Sequence, residues 1–165
     1  MLPGVTCTRL GADRCPGLLK PFVAQDGAII RLRVPGGRVR VSTLADLLAI
    51  GADHGAPLLS VTSRTNLQVR GLPDPLPEDV MVRAEATGLL PSPSHERARN
   101  ILAAPLAPDL QPLVAELDAA LCADPFLADL PGRFLFAVTD ATGAVLTEPV
   151  DAAYQALTPT SGVIR

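Results

Sequence analysis

Ile30-Arg31-Leu32-Arg33-Val34-Pro35-Gly36-Gly37 and Val61-Thr62-Ser63-Arg64-Thr65-Asn66-Leu67-Gln68-Val69-Arg70-Gly71 are the stretches that decide the fold. The first ends a β-branched, alternating run over Ala28–Val34, which reads as a strand stopped by Pro-Gly-Gly. The second divides around Ser63-Arg64-Thr65 into strands over Leu58–Thr62 and Asn66–Arg70. Between them Leu44, Leu47 and Leu48 follow helical spacing, with Ser42 as candidate N-cap and Gly55 as the stop. The order strand, helix, strand, strand is a small α/β unit with one open face. Period-two alternation puts Arg31 and Arg33 on one face of their strand. An unpaired guanidinium in apolar, β-branched surroundings is costly, so such arginines usually meet carboxylates or other anions, whose geometry matches the guanidinium fork. The plainer alternative is that each arginine points outward from a half-exposed strand. That suffices for one arginine; two paired segments joined by a turn and a helix favour an anion-lined cleft.

Outward from this unit the pattern loosens. Residues 1–20 carry no period and read as an irregular arm, and Asp26-Gly27 is a turn signal. Leu72–Pro77 is proline-rich and reads as a linker. Glu78 and Asp79 suit a helix N-terminus, and that helix stops at Gly88. A proline loop comes next, in which Ser94 caps a short turn leading to Arg97, Arg99 and Asn100. The clearest helix has Asp109 as candidate N-cap and a stripe of Leu110, Leu113, Val114, Leu117 and Leu121. After the turn Leu130-Pro131-Gly132, Phe134, Phe136 and Val138 alternate as a strand. Asp140–Gly143 then predicts a hairpin into Ala144–Leu146. From Pro149 to Arg165 no strong pattern remains, apart from Tyr154 and Leu157 at the spacing of one helical turn.

Composition narrows the function classes. The chain has 165 residues, 48% hydrophobic but only 3% aromatic, so its core must be aliphatic. Its net charge is −3 and it has no basic tract, which argues against nucleic-acid binding. No apolar run reaches membrane-spanning length, and no secretory signal is evident. Three cysteines, Cys7, Cys15 and Cys122, fit no pairing or metal loop and read as reduced thiols in a cytoplasmic protein. Acidic residues are scattered without metal-ligand spacing, and no phosphate loop or serine-nucleophile elbow occurs. His54, beside Gly55, reads as stabilised by a helix end; His95 lies near Arg97 and Arg99.

The pattern Arg-x-Arg-x-Pro-Gly-Gly, a helix, then Thr-Ser-Arg-x-Asn-x-Gln-x-Arg-Gly resembles the ferredoxin-like half domain of the nitrite and sulfite reductases. Within that superfamily it is most similar to the N-terminal half of precorrin-3B synthase. Cys15-Pro16-Gly17 and Glu96-Arg97-Ala98-Arg99-Asn100-Ile101-Leu102 add to the likeness, which runs from Cys15 to Leu146. The resemblance implies an α+β fold: a ferredoxin-like half domain over 21–73, then the first part of a second, tetrapyrrole-binding α/β region over 74–148, with 149–165 as a tail. It implies an oxidoreductase fragment whose arginines hold a carboxylate-rich tetrapyrrole, siroheme or a precorrin, as cofactor or substrate. By position Arg31, Arg99 and Arg133 match the catalytic cations. Arg33, Arg64, Asn66, Gln68 and Asn100 match residues that hold the macrocycle. Leu135 stands where the reductases carry a second basic residue, which favours the precorrin synthases. The family also holds a four-iron cluster through four cysteines, which three cysteines cannot supply. The resemblance thus implies a second polypeptide carrying the cluster half, or a non-catalytic tetrapyrrole-binding module, or a homodimer that replaces the missing copy of the half domain.

Overall fold

The computed structural model describes residues 15–56 and 58–165. The arm expected over 1–20, with Cys7 in it, lies mostly outside the described residues. The first sheet is antiparallel. Strand β1 (Phe22–Ala24) turns at Gln25-Asp26 into β2 (Gly27–Leu32). Helix α1 (Val41–Asp53) comes next, then β3 (Leu59–Val61) and β4 (Leu67–Leu72), in the sheet order β1-β2-β4-β3. Alternation divides the sheet as the sequence predicts. Ala28, Ile30 and Leu32 of β2 and Leu67 and Val69 of β4 enter one core with Leu47 and Ile50 of α1. Helix α2 (Glu78–Ala86) adds Val80 and Ala84 to that core. Each such fully buried large aliphatic side chain contributes about 1.5–3 kcal/mol. The opposite face receives Arg31 and its cross-strand neighbour Gln68.

The second sheet is mixed. Strand β5 (Ile101–Ala103) runs parallel to β6 (Phe136–Thr139), which runs parallel to β7 (Ala152–Thr158); β8 (Ser161–Ile164) closes the edge antiparallel to β7. Helix α3 (Gln111–Ala123) crosses between β5 and β6, as parallel pairing requires. On one side of the sheet Ile101, Ala103 and Val138 pack on Val114 and Leu121 of α3. On the other, Leu102, Leu135, Ala137 and Ala153 pack around Val145. No described helix is long and apolar enough to cross a membrane.

The α+β class and the strand-helix-strand-strand unit stand, with β1 and α2 flanking that unit. Three sequence expectations are corrected. No hairpin joins β6 to 144–146: those residues are turns, and β6 pairs instead with distant β7 because Val145 is buried as a core plug. The stretch from Pro149 onward contains β7 and β8, and Tyr154 lies on a strand, not a helical turn. The caps also shift. Arg40 occupies the N-cap of α1 in extended conformation, leaving Ser42 in the first turn. Asp109 lies in a 3-10 turn (Pro108–Leu110) that leads into α3. Shifts of this size at helix ends are ordinary.

Candidate functional site

Arg31 faces Gln68 directly across the β2–β4 ladder. With the Gln68 amide oriented to present its oxygen, Arg31 donates to it through Nη2 at 2.6 Å and Nε at 2.8 Å. The strand pairing thus fixes one flank of this guanidinium on the face turned away from the helices. Arg33, two residues on, is only 1% exposed and donates from Nη1 to the Pro16 carbonyl at 3.2 Å. The Cys15-Pro16-Gly17 segment is clamped from a second direction by the buried Glu96 carboxylate, which accepts from the amides of Leu18 at 2.8 Å and Leu19 at 3.1 Å. Glycine at 17 leaves room for that carboxylate, since a Cβ there would overlap it and force the Glu96 side chain to move.

The turn between β3 and β4 joins the two sheets. Arg64 donates from Nη1 to the Arg133 carbonyl at 2.9 Å, in the turn that leads into β6. Buried Asn66 works as a relay. Its Oδ1 accepts from the Val34 amide at 3.1 Å, and its Nδ2 donates to Asn100 Oδ1 at 2.9 Å. Asn100 in turn donates from Nδ2 to the carbonyls of Gly132 and Arg97, both at 3.0 Å. Two side-chain amides therefore connect the end of β2, the start of β4 and the loop before β6. Arg99 is also committed: 4% exposed, it donates from Nε and Nη2 to the two carboxylate oxygens of Asp118, each at 2.7 Å, and from Nη1 to the Leu89 carbonyl at 2.8 Å. The Arg133 side chain is exposed. Of the eight sequence candidates, Arg31, Gln68, Arg64 and Arg133 lie on the helix-free face and the seam below it. Arg33, Asn66, Arg99 and Asn100 are buried and bind protein groups.

A cleft of about 430 Å³ opens between the sheets. It is lined by the Pro-Gly-Gly turn with Arg38, by Ser63 and Thr65 on either side of Arg64, by Leu102 and Ala103 of β5, by Gln111 of α3 and by residues following β6. Gly36 has φ +69° and lies against the first turn of α3, where a Cβ would press on Gln111 and Val114. Only glycine permits both the conformation and the approach. Thr65 has φ +58°, an unfavourable conformation for a β-branched residue that costs about 1–3 kcal/mol. The surrounding turn holds it: its amide donates to the Thr62 carbonyl at 2.9 Å and its hydroxyl to the Arg64 carbonyl at 2.8 Å. Sequence reasoning misses Arg38, Thr65 and Glu148 as site residues. The one available signal is that Arg38 directly follows Pro-Gly-Gly; positive φ at Thr65 has no signature in the sequence.

Both histidines are engaged. His95 is buried; its Nε2 meets the Asp124 carbonyl at 3.0 Å and so carries the proton, leaving Nδ1 to accept from Ser92 at 2.8 Å and Ser94 at 3.0 Å. His54 forms the C-cap of α1 and contacts Asp79 at 2.9 Å, and this hydrogen bond holds the Asp79 carboxyl below its ordinary value. Burial pushes the Cys122 thiol up. Among the described residues no group of three or more His, Cys, Asp or Glu could hold a metal ion.

The family profile described as the nitrite/sulfite reductase ferredoxin-like half domain matches residues 23–86, the segment from β1 through α2. Residues 23–86 form such a half domain. A solved structure, that of the NirA protein of Mycobacterium tuberculosis, is similar in fold with a TM-score of 0.63 at 21% identity. That likeness covers 87% of this chain, so it reaches beyond the half domain into the second sheet, and 29% of NirA. The chain thus spans under a third of the length of that protein. The sequence matches no curated protein.

Proposed function

We propose that the chain is the N-terminal part of an oxidoreductase of the nitrite/sulfite reductase type, of the precorrin-3B synthase kind, and that it receives the carboxylates of a tetrapyrrole. The observation that carries this reading is Arg31 on the helix-free face of the half domain, held side-on by Gln68, with Arg64 anchored at the head of the next strand. The donor set fits such a ligand. A carboxylate-rich macrocycle needs fixed cations, and arginine keeps its charge at neutral pH. Arg31, Arg64 and Arg133 would meet the carboxylates. Arg33, Asn66, Arg99 and Asn100 would hold the frame that places them. When bound, siroheme would supply the electron-transfer chemistry, and a precorrin would itself be the group that reacts. In either case these arginines bind and orient; they hold no proton to give. The described residues do not fit a four-iron cluster. Its ligands would have to come from residues outside these, in a longer form of the chain or in a second polypeptide.

The test is anaerobic purification followed by ultraviolet–visible spectroscopy and metal analysis, with and without a candidate partner bearing clustered cysteines. A tetrapyrrole absorption band that survives gel filtration in the wild type and is lost with Arg31→Ala supports the proposal. A colourless protein that also fails to take up added tetrapyrrole refutes it. A second reading, a homodimeric structural module, is favoured by the edge strand β3, where Leu58, just before the strand, is 76% and Val61, at its end, is 72% exposed. Exposed apolar edges of this kind invite pairing. Light scattering across concentrations decides it: a constant monomer mass excludes the dimer.

A further inference from the structure

We infer that Ser94 is an activated nucleophile that takes an acyl group from an aryl ester or a thioester. This goes beyond the tetrapyrrole reading and does not depend on it. The residues are Ser92-Pro93-Ser94-His95, with a 3-10 turn over Pro93–His95. A serine ahead of a helical turn ordinarily caps it by accepting from a backbone amide. Ser92 does not, because no side chain caps this turn. Its hydroxyl and that of Ser94 meet the His95 imidazole instead, with Oγ to Nδ1 distances of 2.8 Å and 3.0 Å.

The far side of the ring is fixed. His95 is 4% exposed, and its Nε2–H donates to the Asp124 carbonyl at 3.0 Å. Asp124 itself caps the 3-10 turn Pro125–Asp129, where its carboxylate accepts from the Phe126 amide at 3.0 Å. The tautomer is thereby set, and the Nδ1 lone pair is directed at the hydroxyls. A hydroxyl, an imidazole and an acceptor that orients the ring are the series that activates a serine, with a carbonyl here in place of a carboxylate. One lone pair serves two hydroxyls, whose oxygens are 3.3 Å apart, so the two compete for it. Ser94 is exposed and Ser92 is half-buried, which makes Ser94 the one that meets substrate.

In the reaction Ser94 Oγ bonds to the acyl carbon while its proton passes to His95 Nδ1. The bond from that carbon to the leaving group breaks, and the leaving group departs with the electron pair. Water then attacks the acyl-serine, and the carboxylic acid is released as Ser94 recovers a proton through Nδ1. A neutral carbonyl stabilises an imidazolium less than a carboxylate does. The leaving group must therefore depart as a weakly basic anion, a phenolate or a thiolate, and this sets the substrate class. Phe126, 86% exposed on the turn that packs against this one, offers an apolar surface for the aryl or acyl group.

The test is incubation of the full chain with p-nitrophenyl acetate, read by nitrophenolate release and by peptide mass spectrometry of the acetylated residue. Acetyl on Ser94, with release lost in Ser94→Ala, is expected. Release should fall about a hundredfold or more in His95→Gln, the usual share of a general base. Ser92→Ala leaves Ser94 the sole donor to Nδ1 and should keep or raise the rate. Because His95 is buried, the unfolding midpoint of His95→Gln is measured alongside; Ser94 is exposed, so Ser94→Ala tests the inference in a folded chain. Absence of acetyl from Ser94, with label on Ser92, on Lys20, on a cysteine or nowhere, would overturn the inference. So would release that is unchanged in Ser94→Ala, or lost as fully in Ser92→Ala. None of these readouts involves a tetrapyrrole, so the two proposals fail separately.

Discussion

Replacing Asn66 with alanine is the sharpest test of how the two sheets are joined. The substitution removes two hydrogen bonds and leaves two buried groups without their partner: the Val34 amide, in a residue 2% exposed, and Asn100 Oδ1, in a residue 1% exposed. A buried polar group stripped of its partner costs about 1–3 kcal/mol, so the pair sums to about 2–6 kcal/mol. A water entering the vacated space would recover part of this, which places the expectation at about 2–4 kcal/mol. Urea unfolding should show the loss as a lower midpoint at unchanged slope. Hydrogen exchange at the Val34 amide should accelerate in step. Asn100→Ala should be comparably harmful, and the double variant should lose less than the sum, because one bond is shared. A loss below about 1 kcal/mol for Asn66→Ala, or full additivity with Asn100→Ala, would refute the relay as a structural joint.

The same geometry sets three further outcomes. Asp118→Ala strands the buried Arg99 guanidinium and should cost about 3–5 kcal/mol, whereas replacing both partners with apolar residues should cost less; equal losses in denaturant melts would contradict this. Gly17→Ala should drive the Glu96 carboxylate off the Leu18 and Leu19 amides and lower stability by about 1–3 kcal/mol, and the effect should largely vanish in a Glu96→Ala background. Asp79, whose carboxyl is held below 3.8 chiefly by the His54 hydrogen bond, stabilises the fold above its unfolded pKa and loses that contribution as pH falls through the lowered folded value. His54→Ala should therefore move the Asp79 carboxyl titration upward in ¹³C spectra, and an unmoved curve would remove His54 as the cause.

The first sheet is legible in the sequence because its signals are local. Alternation over 28–34 and 66–70, the Pro-Gly-Gly stop and the leucine spacing of α1 each report on neighbours along the chain. The second sheet is less so, because its pairing is distant. Ala152-Ala153-Tyr154-Gln155-Ala156-Leu157-Thr158 has one β-branched residue and a polar glutamine at a buried position. It becomes a strand because β6 and β8 supply its hydrogen bonds. Asp140–Gly143 is a turn, as its residues predict, but the segment after it is a loop anchored by Val145, and no local pattern distinguishes that from a hairpin. The site shows the same division. Residue type and motif single out Arg33, Arg99 and Asn100, but only the fold reveals that Pro16, Asp118 and Asn66 are their partners. The Thr65 backbone and the Arg38 cleft lie outside what spacing can show.

The functional reading turns on Arg31, placed on the helix-free face of the half domain to receive a carboxylate of a tetrapyrrole. An absorbance titration of the full chain with a uroporphyrin-type ligand at micromolar protein, run side by side on wild type and Arg31→Ala, addresses this contact directly. Saturable binding that the variant weakens about tenfold or more, at unchanged folding stability, is the expected result. Absence of binding in the wild type, or equal affinity in the two proteins, would show that Arg31 does not hold such a ligand.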